Sequence, residues 1–501
     1  MIATMNPRVA RLSILVFCFL GLTFGFLHAY RGSPTANRLL KTIPILNDDN
    51  NHASNQPVAD NKPLGPQPPK YKPPPKNPPP PITDPFPLLA TTSKDVLPPP
   101  IPAYNVPHPD LHLHYGLSRP PPLFVGFTRQ WPMLLQAVVS YITAGWPASG
   151  IYVVENTGVH NSNRAGLLSL QNPFFLNHTT LKRLGVNVIQ TPVLLNFAQM
   201  QNFFLDVAYQ ENHKYYFYSH QDVLVFSFED GPDQERRPGD REWETYDEKD
   251  KEATVMNPFG AGEEGYRTIY ENCLREINTT VARKERWGFR WFQYDHLTLV
   301  NRAALEAVGG WDSMIPYYAT DCDMNGKLEM DGWTMKHRRA GIINDVSSVM
   351  TDLEALYRNP AVVPGFVDPN PLPPDQEASI KEKGKWKVKE GSNGEKVYSN
   401  TTAMPTDQKE YFRILNQVGI DMGAHKYRDG DHQRNRWQKS QQGGLGESYY
   451  YDPEGFARAF QLLTEAGRKI YSEKWGHQGC DIAKKTQLKL QDQWRVEKDF
   501  E

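Results

Sequence analysis

Between residues 123 and 226 the chain alternates short apolar runs with helix-length ones, and that alternation restricts the fold more than any other feature. LFVGF at 123–127 reads as a strand, and Thr128 and Arg129 follow it. Residues 131–144 put Leu134, Val138 and Ile142 on one face of an amphipathic helix. IYVV at 151–154 is the next strand and runs into Glu155 and Asn156; 184–191 gives a third strand, 197–208 a second helix and 215–219 a fourth strand. Strands separated by helices of this length predict an α/β fold, a mixed and mostly parallel sheet with helices on both faces. Ligands of such sheets sit at the carboxyl ends of the strands. The polar residues fall at those ends: Thr128 and Arg129, Glu155 and Asn156, then His220, Gln221 and Asp222.

The run YYFYSHQDVLVF at 215–226 sets a carboxylate inside an otherwise apolar stretch. An unpaired carboxylate there costs roughly several kcal/mol, so Asp222 calls for a metal ion or a cationic partner. A second informative stretch covers 292–333. An apolar strand at 296–300 leads through Asn301 and Arg302 into a short helix that closes at Gly309 and Gly310. TDCDMNGKLEMDG then puts Asp321 and Asp323 at the start of another helix, where the unpaired amides favour negative charge. Capping explains that pair as well as chemistry does.

Strand, Asn, short helix, GG-aromatic-D, loop and then D-x-D into a helix ending G-aromatic resembles the acceptor half of GT-A glycosyltransferases, the inverting family 2 type above all. The resemblance covers roughly residues 121–350 and implies a Rossmann-like GT-A fold and sugar transfer from a nucleotide-diphosphate donor. It makes Asp321 the base that takes a proton from the acceptor hydroxyl, with Thr320 where the family carries Glu. Glu155 matches the acidic residue that meets the nucleoside, with a strand-end turn former as the other reading; Arg129 either answers a phosphate or is solvated. His220 and Asp222 stand at the family's D-x-D, so Asp222 is the expected ligand of Mn²⁺ or Mg²⁺; an imidazole at 220 favours Mn²⁺. A third ligand is expected from Asp345 in GIINDVSS, while His337, beside Lys336, Arg338 and Arg339, fits a basic patch near phosphate. Asp323 is expected behind the site or as a cap.

Upstream, residues 12–29 hold no Asp, Glu, Lys or Arg and are long enough to span a bilayer's hydrocarbon layer. Arg8 and Arg11 precede them, which predicts a cytoplasmic tail at 1–11, an anchor at 12–29 and a lumenal remainder; a cleaved signal peptide is the rival reading. Ten prolines in the twenty positions 61–80 make 30–120 an extended stem. Anchor, stem and globular domain together resemble a single-pass type II Golgi enzyme. Sequons at Asn177, Asn278 and Asn400 agree with a lumenal location. Cys273, Cys322 and Cys480 allow at most one internal disulfide on that side. The formal charge of −2 excludes the basic bias of a nucleic-acid binder.

The expected catalytic domain covers 121–358, with a charged, solvated insert at 229–285. KERWGFRWF at 284–292 suits either an acceptor groove or the core. Residues 359–501 form an extension, polar and irregular over 423–444, with an amphipathic helix near 453–475 that starts at Pro453. The acceptor is a glycan or glycoprotein. No complete nucleophile motif supports a hydrolase. The alternative from another class is an inactive lumenal binding or scaffold protein, for which His220 and Thr320 speak.

Overall fold

The structure, a computed structural model, describes residues 68–73, 81–91, 93, 95–231, 259–367, 387–390, 396–399, 407–427, 443–449 and 452–500. The chain divides into two compact units, Met1–Lys76 and Asn77–Glu501. In the first, the described residues 68–73 have no regular secondary structure. The expected tail and anchor, much of the stem, residues 232–258 of the insert and Asn400 lie outside the described residues. Among the described residues no helix is long and apolar enough to cross a membrane.

The main elements of the second unit begin with β1 (Leu123–Phe127), α1 (Trp131–Thr143), β2 (Ile151–Glu155), β3 (Asn187–Gln190), α2 (Phe197–Gln210), β4 (Tyr215–Ser219) and β5 (Val223–Phe226). Next come α3 (Ile269–Ala282), β6 (Trp287–Trp291), β7 (Leu297–Asn301), α4 (Arg302–Ala307), α5 (Thr320–Met330), β8 (Thr334–His337) and β9 (Ile342–Asp345). The tail adds β10 (Phe366–Val367), β11 (Lys387–Glu390), β12 (Lys396–Ser399), α6 (Gln408–Lys426), α7 (Pro453–Trp475) and α8 (Ile482–Lys485).

Seven strands form one sheet in the order β3-β2-β1-β4-β7-β6-β8. All neighbours are parallel except at β7, which runs antiparallel to both β4 and β6. The fold is therefore mixed α/β with a mostly parallel sheet flanked by helices. Side chains of β1 alternate between the faces, as the pleat requires. Leu123, Val125 and Phe127 join α1 in one core cluster. Phe124 turns to the other face and stacks on Phe204 of α2, ring centroids 5.3 Å apart. Gly126 leaves room for Met200 of the same helix: a Cβ there would lie 2.5 Å from Met200 Sδ and push that side chain aside.

Helix α1 departs from the amphipathic expectation: every residue of it is buried. The sheet covers one side and β5 with the 353–357 turn covers others, so its polar side chains are bonded internally. Gln136 donates to Ser348 O and accepts from Met350 N at 2.8 Å. The stem also ends sooner than expected. Phe86, Leu89 and Leu111 are buried in the main core, and Leu353 N donates to Pro85 O at 2.8 Å. Apolar residues spaced between the prolines find core surface, and 81–120 follow them.

Candidate functional site

The sheet register brings three loops to one edge. Val125 pairs with Ser219 and Phe127 with Glu155, so Thr128, Asn156 and His220 emerge together at the carboxyl ends of β1, β2 and β4. After Ser219 and His220 the chain bends at Gln221 and Asp222, and β5 leaves the main sheet to pair antiparallel with β9. Val223 faces Asp345 in that pair, and Val346 N donates to Asp222 O at 2.9 Å. Two carboxylates far apart in sequence are thereby neighbours.

A cation stands between them. Lys426, the last residue of α6, donates from Nζ to Asp222 Oδ2 at 2.7 Å, to Asp345 Oδ1, and to Val346 O at 3.3 Å. Helix α6 lies on β9 with Gly419 at the contact; a Cβ there would lie 2.6 Å from Asn344 Nδ2, so that side chain would have to shift. A lysine at a helix C-terminus also complements the helix dipole. Tyr427 donates its hydroxyl to Asp345 Oδ2, and His296 Nε2 stands 3.3 Å from that oxygen. Burial alone would raise the Asp345 carboxyl. The charges of His296 and Lys426, with their hydrogen bonds, outweigh burial and hold it well below the usual carboxylate range. Lys426 is pushed up, since Asp222 and Asp345 more than offset its desolvation.

His220 lies between Asp222, 3.8 Å from Nδ1, and Asp295, 3.4 Å from Nε2. Burial works against its charge, but Asp295, then Asp222 and Asp345, raise it to about 9. His296 crosses the His220 ring edge-on at 5.4 Å. Among the described residues, His220, Asp295 and His296 are the group whose ligand atoms lie close enough to hold a metal ion, all within 4.8 Å of one another.

Asp321 occupies the first turn of α5 and accepts a hydrogen bond from the Tyr294 hydroxyl at 2.7 Å. Burial raises its carboxyl above the ordinary range, against the lowering effect of that bond. Asp321, Tyr294, His220, Asp222, Asp345 and Lys426 all line one cavity of about 400 Å³. Aromatic side chains also line it. Phe174 and Tyr449 meet edge-on at 4.5 Å, Tyr317 and Phe460 lie 4.9 Å apart, and Arg129 rests 3.9 Å above the Phe456 ring.

Of the residues expected from sequence, Thr128, Arg129, Asn156, His220, Asp222, Asp321 and Asp345 line this cavity, and Glu155 does not. The Glu155 carboxylate is fully buried and taken by His178 at 3.0 Å, Asn163 at 3.0 Å and Gln190 at 2.8 Å. Asn156 bonds Thr128 Oγ1 at 3.2 Å, and bonds both Leu195 O and Leu195 N, which pins the loop before α2. The expected basic patch is not assembled either. Arg338 pairs with Glu276 at 2.9 Å and Lys336 with Glu285 at 3.2 Å, while His337 packs on Trp291, ring centroids 5.0 Å apart. KERWGFRWF becomes the core strand β6, with Trp287 and Phe289 buried and Arg290 bonded to Glu285 at 2.7 Å. Asp323 is an anchor: it accepts from Trp475 Nε1 at 2.9 Å and pairs with Lys474 at 2.6 Å.

Tyr294, Asp295, His296 and Lys426 were not anticipated. The first three precede β7, and pairing β7 against β4 sets Leu297 opposite Ser219, next to His220. For Lys426 the signal was the helical spacing of Tyr411, Phe412, Leu415, Val418 and Met422, all buried, which carries α6 through residues read as irregular.

No protein-family model matches this chain, and no curated protein matches it. Among solved structures, the chain is similar to the mannosyltransferase PcManGT from Pyrobaculum calidifontis, in complex with GDP-Man and Mn²⁺, at 12% identity and a TM-score of 0.24, over 44% of this chain and 55% of that one. The match thus spans about half the length of that enzyme. A cytidylyltransferase from Leptospira borgpetersenii serovar Hardjo-bovis is similar at 10% identity and a TM-score of 0.24, over 53% of this chain and 95% of that one.

Proposed function

We propose that this chain is a GT-A-type glycosyltransferase that moves a sugar from a nucleotide-diphosphate donor to a hydroxyl of a glycan or glycoprotein. One observation carries the reading: a single cavity at the carboxyl edge of the sheet is lined by Asp321, held by Tyr294, and by a charged cluster in which His220 and Lys426 are interleaved with Asp222, Asp295 and Asp345. The bond between the anomeric carbon and the diphosphate breaks with its electron pair going to the diphosphate. The acceptor oxygen bonds the same carbon from the opposite face, with inversion, and its proton passes to Asp321. A buried carboxyl with a raised pKa suits that role, and Tyr294 holds its orientation. The aromatic wall would take the apolar face of the acceptor's sugar rings.

The expected metal has two places to be tested against. Asp222 and Asp345 do not fit a divalent ion as they stand, since Lys426 already takes an oxygen from each. His220, Asp295 and His296 are the place where Mn²⁺ or Mg²⁺ would be held if the reaction uses an ion at all, and there it would supply charge to offset the leaving diphosphate. We also propose a Golgi membrane location, single-pass type II with the cavity lumenal. The apolar run at 12–29 and the Cys322–Cys480 disulfide, a bond of oxidising compartments, support it.

The test is calorimetric titration of the full chain with UDP, GDP and CMP, then turnover of the matching sugar donor by wild type and Asp321→Asn. Binding of one diphosphate, with turnover lost in the variant and binding kept, supports the transferase. The second reading, a binding or scaffold protein, is favoured by the satisfied state of Asp222 and Asp345. Nucleotide binding without transfer to any glycan acceptor would establish it instead.

A further inference from the structure

We propose that Lys426 is a built-in replacement for the donor-site metal: its ammonium group occupies the cation seat between Asp222 and Asp345, so the site works without a divalent ion. The inference rests on the glycosyltransferase reading of the cavity and specifies how that site meets a diphosphate.

Three observations carry it. The first is position. The ammonium lies where β5 and β9 bring Asp222 and Asp345 together, and it bonds one oxygen of each. A hard divalent ion would need those same oxygens, with several more ligands, at about 2.1 Å. The second is burial. Lys426 is 3% exposed and also bonds Val346 O at 3.3 Å, so all three of its N–H groups are directed at protein oxygens. An ion could enter only by expelling a buried ammonium that already bonds an oxygen of each carboxylate and a backbone carbonyl. The third is provenance. Lys426 comes from α6, outside the stretch that carries the sheet, and α6 lies close against β9, with Gly419 facing the Asn344 side chain. The C-terminal extension therefore completes the site rather than merely adjoining it.

Lys426 offsets part of the negative charge of Asp222 and Asp345, and the other basic side chains in the cavity lining are His220, His296 and Arg129. No proton transfer is asked of Lys426; it remains an ammonium while the anomeric bond breaks. Its role is positioning: it holds Asp222 and Asp345, and through Asp222 it sets His220, 3.8 Å away.

The experiment titrates the full chain with Mn²⁺ by calorimetry and electron paramagnetic resonance, and repeats nucleotide-diphosphate binding in EDTA. The wild type is expected to take up no stoichiometric Mn²⁺ and to bind the nucleotide equally well in EDTA. Lys426→Ala frees two carboxylates beside His296 and should bind one Mn²⁺ about a hundredfold more tightly than wild type. Lys426→Ala combined with Asp222→Asn should lose that gain. Stoichiometric Mn²⁺ uptake by the wild type, whichever side chains hold the ion, overturns the proposal. If Lys426→Ala does not fold, the wild-type titration decides alone, with Lys426→Arg expected to stay metal-free. Absence of nucleotide binding in every condition would count against the transferase reading and leave the Mn²⁺ result to judge the cation seat.

Discussion

Trp475 donates its indole N–H to Asp323 Oδ1 at 2.9 Å, and this bond ties the end of the C-terminal helix to the helix that presents Asp321. Lys474 adds an ion pair to the same oxygen at 2.6 Å, and Cys322, between the two aspartates, is disulfide-bonded to Cys480. The extension and the proposed base are one mechanical unit.

Lys474→Met should therefore destabilise the protein by about 3–5 kcal/mol, because Asp323 is fully buried and would lose its principal counter-charge. Urea unfolding measures this. In a double-mutant cycle, Asp323→Asn combined with Lys474→Met should cost less than the sum of the single changes. Additive costs would show that the pair contributes nothing to the link.

Tyr294→Phe removes the hydroxyl that bonds the ionised form of Asp321. The base must be ionised to act, so the rate rises with pH through the Asp321 pKa, which burial already sets above the ordinary carboxylate range. Losing a bond to the charged form raises that pKa further. The acidic limb of the kcat profile should move to higher pH, with the plateau rate changed less than the midpoint. An unmoved limb would remove Tyr294 from the proton path.

The sheet was legible because its evidence is local. Apolar runs such as LFVGF and helix-length spacers each report their own conformation, and Asp222 and Asp321 stand out as carboxylates in apolar settings. Neither Lys426 nor the helix that carries it was read from the sequence: its partners lie 204 and 81 positions away and only the β5–β9 pairing unites them. Glu155 shows the opposite failure. A strand-end carboxylate looks functional in sequence, yet His178, Asn163 and Gln190 arrive from separate segments to satisfy it inside the protein.

That burial has a pH signature. Burial alone would raise the Glu155 carboxyl, but the bonds from His178, Gln190 and Asn163 prevail and lower it to about 2. A carboxyl whose folded pKa is depressed stabilises the fold above its unfolded pKa and loses that contribution as pH falls through the folded value. Here the window runs from about 4.5 down to about 2, and the contribution is on the order of 3 kcal/mol. Glu155→Gln should unfold at a lower temperature than wild type at pH 7, and the gap should close between about pH 5 and pH 2. A gap independent of pH would mean that the amide loses packing rather than charge.

The aromatic wall offers the most direct check on the acceptor. Tyr449 is 38% exposed at the cavity rim, its ring edge-on to Phe174 at 4.5 Å. Its backbone is held separately, by Asn172 donating to Tyr449 O at 2.7 Å, so Tyr449→Ala should remove the ring and leave the loop in place. A ring contact of this kind is worth about 0.5–1.5 kcal/mol, which predicts an acceptor KM raised about two- to tenfold. If the aromatic residues take the acceptor as proposed, donor affinity and kcat at saturating acceptor should barely change. The measurement is initial-rate kinetics with the acceptor varied at fixed donor. A fall in donor affinity of the same size would move the aromatic wall to the donor side and reverse the orientation proposed for the substrates, with Asp321 then facing the wrong reactant to serve as base.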